Sequence, residues 1–192
     1  MSDAEYLDAI WEHDVEWAQI TLLETGSVRQ MVIVHIAGSL IVVFSPGAQT
    51  RRDFLEFIRA LCIAYEAFAV SVFSEAWMLR AAPGVDMTVD PSKSPNRIEV
   101  LAVHMSGRAD PAGAIEHRAS YRPIVRDGDG KLIGLSAAVK FPEGGEHAGA
   151  FTSLLPTRRP TYAERRRAKL TIARARGKEI SIMQHVAPPV LH

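Results

Sequence analysis

Hydrophobic and polar residues recur along this chain with two distinct periods, and the periods divide it into elements. Over residues 4–24, Leu7, Trp11, Val15, Ala18 and Leu22 are spaced by three or four, the interval of one helix face. Glu5, Asp8, Glu12 and Glu16 make a second stripe on the same segment, wholly acidic. Gly26 supplies a stop. Residues 30–36 and 40–44 are rich in Val and Ile and read as two strands joined by Ala37, Gly38 and Ser39. Both are nearly continuous in apolar residues, which predicts a sheet covered on both faces. Phe54, Ile58, Leu61, Tyr65 and Phe68 predict a helix over 51–67 packed flat on that sheet, with Thr50 and Asp53 close to capping-box positions.

Further strands are predicted over 69–79, 97–105, 115–126 and 131–141. The last two flank Asp127-Gly128-Asp129-Gly130, a strong hairpin signal because glycine supplies the positive φ of tight turns. Pro123 inside a strand predicts an edge position or a bulge. Residues 81–96, 106–114 and 142–149 read as loops, and 150–155 as a helical turn. Thr161 and Glu164 form a T-x-x-E capping box ahead of a helix over 162–176, and 178–192 reads as an extended tail. This order predicts an α+β fold. Its mixed, mostly antiparallel sheet of five to six strands is packed by helix 51–67, with an acidic N-terminal helix and a basic C-terminal helix. The second strand, helix 51–67 and the third strand fit one right-handed crossover. Residues 1–156 are expected to form one domain and 157–192 a basic helical extension.

Composition narrows the picture. The chain has 192 residues, 22 Lys and Arg against 22 Asp and Glu, so it carries no net charge and a uniformly basic nucleic-acid coat is excluded. A single Cys, Cys62, excludes an intrachain disulfide framework and reads as a buried small hydrophobe. The most apolar stretch, 31–44, is broken by His35, Gly38 and Ser39 and is shorter than the ~20 residues of a membrane helix. The acidic N-terminus does not resemble a secretory signal, so the expected compartment is the cytoplasm, away from membranes.

Neutrality conceals segregation. Residues 1–50 hold seven acids and one base, whereas 157–178 hold nine bases and one acid. The basic residues include Arg158, Arg159, Arg165, Arg166, Arg167, Lys169, Arg174 and Arg176. Three readings compete: phosphate binding, pairing with the stripe Glu5, Asp8, Glu12 and Glu16 in this chain or a sister copy, and a plain solvated face. Zero net charge counts against the first.

Glu75 and Glu99 stand inside apolar strands, and alternation places each on one face with aromatic or aliphatic neighbours. They are the candidates for paired acid–base carboxylates, with Arg118 and Arg122 to hold an anion and loop 81–96 as a lid. The bland alternative is cross-strand Glu–Arg pairing. The seven histidines lack H-x-x-x-H spacing, so no metal is expected; His104 reads as a partly inward, hydrogen-bonded residue. GxGxxG, P-loop and GxSxG patterns are absent, and no cofactor is expected. Trp11 and Trp17, six apart, suggest that one projects as an interface anchor.

The segments Ser74-Glu75-Ala76-Trp77-Met78, Asn96-Arg97-Ile98-Glu99-Val100 and Arg126-Asp127-Gly128 resemble, in content and order, short uncharacterised proteins carried by prophages and other mobile elements. The resemblance covers residues 69–135 and implies an origin rather than an activity. The expected function is a non-catalytic interaction protein that self-assembles or binds a protein partner through its acidic and basic helices. The alternatives are a nucleic-acid-binding accessory protein and a small carboxylate-dependent enzyme.

Overall fold

The computed structural model describes residues 3–45, 51–79, 84–86, 88–110, 113–139, 153–175 and 181–186. Helix α1 (Asp3–Thr25) is followed by β1 (Met31–Ile36), β2 (Ser39–Phe44), α2 (Arg51–Ala64) and β3 (Ala69–Leu79). Then come β4 (Arg97–Gly107), β5 (Glu116–Arg126), β6 (Leu132–Leu135), α3 (Tyr162–Ala175) and β7 (Ser181–Val186). The strands form one seven-stranded sheet in the order β6-β5-β4-β3-β1-β2-β7. Every hydrogen-bonded pair is antiparallel. The α+β architecture is as expected, but the sheet is antiparallel throughout rather than mixed, and it has one more strand than predicted because the tail adds β7 to the edge of β2.

Since β1 lies between β2 and β3, those two strands run parallel and α2 connects them as a crossover. The alternating strand residues sort into two cores. Val32, Val34, Ile41, Val43, Val70 and Val72 face Phe57, Ile58 and Leu61 of α2 and Ala168 and Ile172 of α3. Met31, Ile33, Val42, Phe73, Leu101 and Val103 face Ala18 and Leu22 of α1. The unbroken apolar runs of β1 and β2 therefore follow from helices on both sides of the sheet. Residues 157–192, read as an extension, supply α3 to one core and β7 to the sheet.

Local chemistry sets the ends. Ala67 N–H donates to the Cys62 carbonyl at 2.9 Å, a Schellman-type closure that stops α2 before Tyr65. Glu66 takes the left-handed position, φ 51°, and Tyr65 is exposed. The capping box at α3 forms as predicted: Glu164 N–H donates to Thr161 Oγ1 at 3.3 Å, and Thr161 N–H to Glu164 Oε2 at 2.7 Å. Thr50 lies outside the described residues. In the β5–β6 hairpin, Asp127 Oδ1 accepts from the N–H groups of Asp129 and Lys131, and Gly130 has φ 81°. Pro123 presents its carbonyl to Ser136 N–H on the β6 side of β5. Its missing N–H points the same way, so the β4 ladder loses nothing, and a register shift follows at Val125/Arg126. Regular β6 stops at Leu135, although Val139 N–H still donates to Tyr121.

Candidate interaction surfaces and charged clusters

The two charged helices lie on opposite faces of the sheet, which rules out the expectation that they pair with each other within one chain. On α1, the buried seam is Leu7, Ile10, Asp14, Ala18 and Leu22 rather than the predicted one through Trp11 and Val15. Glu5, Asp8, Glu12 and Glu16 are exposed as the periodicity required, and Ile20 and Leu23 extend that outer face. Asp8 meets Arg118 of β5 at 2.6 Å. Trp11 and Trp17 both pack against the core, Trp17 edge-on to Phe73 with centroids 6.1 Å apart, so neither projects as an anchor.

On α3, Ala168 and Ile172 turn inward, while Arg166, Arg167, Lys169 and Arg174 are exposed beside Tyr162 and Leu170. Arg165 and Arg159 reach Glu66 at the end of α2, at 2.6 and 3.1 Å. Arg158 holds Glu164 at 2.6 Å. Its guanidinium and the Thr161 donors keep the Glu164 carboxyl down at about 2. Arg159 foremost, with Arg165, likewise lowers Glu66. Arg176 lies outside the described residues.

Glu75 and Glu99 come together, but their partner is Arg126, not Arg118 or Arg122. The register explains the correction. Leu101 stands opposite Arg122 and Met105 opposite Arg118, which carries Arg118 toward α1. Arg126 reaches diagonally to Glu99 at 2.8 and 3.0 Å and to Glu75 at 3.2 Å, and donates to the Gly26 carbonyl at 3.2 Å. Glu75 Oε1 accepts from Val28 N–H. All four carboxylate oxygens therefore have donors, and the cluster ties the turn after α1 to three strands. Desolvation raises Glu75, helped by the charge of Glu99 and opposed by the Val28 N–H and Arg126. Arg126 lowers Glu99. Beside them Arg97 stacks over Trp77, 4.5 Å from the ring centroid. Glu75, Glu99 and Arg126, one from each of the segments 74–78, 96–100 and 126–128, thus meet across three adjacent strands. Part of loop 81–96 is described: Asp90 accepts from Ser92 N–H at 2.9 Å and caps a single 3-10 turn, Pro91–Lys93.

A cluster that periodicity missed is centred on Asp14, which is wholly buried. Its Oδ2 lies 2.8 Å from His35 Nε2, and its Oδ1 3.5 Å from His13 Nδ1. Burial works to raise Asp14, but His35, His13 and Ser71 together outweigh it and the net shift is downward. Serine, histidine and aspartate are all present, yet Ser71, His35 and Asp14 are buried between α1 and the sheet, where no substrate reaches. Cys62 is buried as expected, and desolvation pushes its thiol up to about 12. His104 is half-buried, edge-on to Tyr121 at 5.2 Å. Among the described residues no group of three potential ligands could hold a metal ion, and no helix is long and apolar enough to cross a membrane.

Comparison with protein-family models, curated proteins and solved structures finds no match.

Proposed function

We propose that this protein is a non-catalytic interaction protein that assembles head to tail, the acidic outer face of α1 in one copy meeting the basic outer face of α3 in the next. One observation carries this reading. Two helices of opposite charge are held on opposite faces of one sheet, so neither can neutralise the other within its own chain. Contact between unlike patches is heterologous, and such contacts build rings when the rotation closes and filaments when it does not. Each exposed ion pair contributes only about 0.2–1 kcal/mol. Charge therefore supplies orientation, while Ile20 and Leu23 on α1 and Tyr162 and Leu170 on α3 supply apolar area. The test is molar mass by light scattering at low and high salt. The assembly is expected to dissociate as salt rises. It should also be lost in E12K/E16K and partly recovered when that variant is mixed with R166E/R167E. A monomer at every salt concentration overturns the reading.

A second reading is favoured by the exposure of Arg166, Arg167, Lys169 and Arg174 on one helix whose acidic counterpart is behind the sheet. That helix would bind nucleic-acid phosphates, with affinity falling steeply in salt. A gel shift that is unchanged in R166E/R167E removes it.

A further inference from the structure

A cleft of about 220 Å³ opens where the C-terminal end of α2 faces the segment leading into α3. Ala67, Phe68, Pro156 and Pro160 provide apolar walls, and Arg108, Arg158, Arg159 and Glu66 provide the charge. Arg108 is almost fully buried, with its Nη2 donating to the Pro156 carbonyl, and forms the floor. Arg158 and Arg159 are exposed at the rim. Arg108, Arg158 and Arg159 thus line one small, mostly apolar hollow, with Glu66 at its rim beside Arg159 and Glu164 holding Arg158. Apolar walls with a few convergent charged groups are the ordinary makeup of a small-molecule site, and this volume is below the drug-sized range of about 300–1,000 Å³.

The rim carboxylate stands in an unusual place. Glu66 has φ 51°, the left-handed position after α2 where glycine is cheapest. It also sits at the negative end of that helix, where the dipole disfavours an acid. Backbone strain of this kind persists where the surroundings enforce it: the Ala67 N–H to Cys62 carbonyl closure sets the backbone, and Arg159 and Arg165 hold the side chain. Glu66 therefore holds at the rim a guanidinium that would otherwise be unmatched. Glu164 does the same for Arg158.

We propose that this cleft binds a small oxyanion-bearing molecule, a phosphate or carboxylate group on a fragment-sized body, gripped by Arg158 and Arg159 above the buried Arg108. The ligand oxygens take guanidinium donors now shared with Glu66 and Glu164, and the body rests on Phe68 and Pro156. Planar guanidiniums suit both anions, because each offers paired oxygens to the fork. The site is distinct from the outer face of α3, which carries Arg166, Arg167, Lys169 and Arg174.

The experiment is a titration of the ¹⁵N-labelled full chain followed by NMR. Inorganic phosphate and acetate are the two probes, each against sodium chloride at matched ionic strength. Saturating shifts at Ala67, Phe68, Arg108 and Arg159 are expected with at least one probe, and the stronger probe identifies the anion class. Affinity is expected to fall at least tenfold in R158Q and R159Q and to stay unchanged in R174Q, at the far end of α3. Both rim arginines are exposed, so these variants keep the fold, which the dispersion of their spectra verifies. Shifts that rise linearly with both probes, or affinities equally affected by R159Q and R174Q, overturn the proposal.

Discussion

Removing the Asp14 carboxylate is the most direct test of how α1 is fixed to the sheet. Asp14 has no exposed surface and lies 2.8 Å from His35, which is itself buried on β1. In D14A, His35 keeps its buried position and loses its partner. Breaking a buried pair from one side costs about 3–5 kcal/mol, because a polar group is left uncompensated. For a domain of this size each kcal/mol moves the melting temperature by about 2–4 °C, so a fall of order 10 °C is expected. Replacing both partners with apolar residues, as in D14L/H35L, removes the desolvation cost along with the attraction. It should recover most of the loss.

The assay is urea and thermal unfolding of D14A, H35A and D14A/H35A, combined in a double-mutant cycle. A coupling energy above about 1 kcal/mol is expected for groups in direct contact. Acid adds an independent arm. Asp14 titrates below its unfolded value, so its contribution is complete above about pH 4 and is lost as pH falls through the lower native value. D14N should flatten that acid limb. His13 moves the other way: its titration is raised, chiefly through its hydrogen bond to Asp14, so its contribution is present below about pH 6.5 and fades as pH rises beyond. If D14A costs less than 1 kcal/mol, or the two single losses simply add, α1 is held by its apolar seam alone and the reasoning is refuted.

The two strand carboxylates should respond unequally at pH 7. E75Q is expected to be nearly neutral, because desolvation already raises Glu75 and its ionised form opposes folding above its unfolded value. E99Q should destabilise, with the gap closing below about pH 4 in urea unfolding. E66G should melt above E66A by the equivalent of about 1 kcal/mol, since both lose the ion pairs and only glycine is unstrained at φ 51°. A Cβ on Gly107 would stand 2.6 Å from Leu7 Cδ1 and 3.3 Å from Ala69 Cβ. G107A should therefore cost about 1–3 kcal/mol, and L7A should relieve part of that loss, both read by thermal unfolding.

The elements that were legible in the sequence are those whose cause is local. Alternation over 69–79 reproduces β3 to the residue, and Thr161 with Glu164 marks the start of α3 because the capping box is made within four residues. Partners were less legible, because they depend on register. Arg118, Arg122 and Arg126 share one face of β5, and nothing local to β5 says which of them reaches Glu99. The pairing of Leu101 with Arg122 decides it, and that pairing is a property of two strands. β7 is not legible as a strand for the same reason, since the edge it needs belongs to β2.

The charge pattern shows where adding over a segment fails and adding over a face succeeds. Asp14 counts toward the acidic N-terminal segment, yet it lies at the centre of the helix seam and presents no carboxylate at the surface. An apolar-only search places that seam on Trp11 and Val15, because it cannot admit a carboxylate whose partner, His35, is 21 residues away. Arg118 offsets Asp8, while Glu66 and Glu164 offset Arg159, Arg165 and Arg158. Glu12 and Glu16 on one side of the sheet, and Arg166, Arg167, Lys169 and Arg174 on the other, carry the exposed charge that these pairs leave over. An assembly that depends on charge must therefore be sensitive to E12K/E16K and insensitive to D14N wherever D14N remains folded. A count of acids along the chain would rank the three carboxylates as equals.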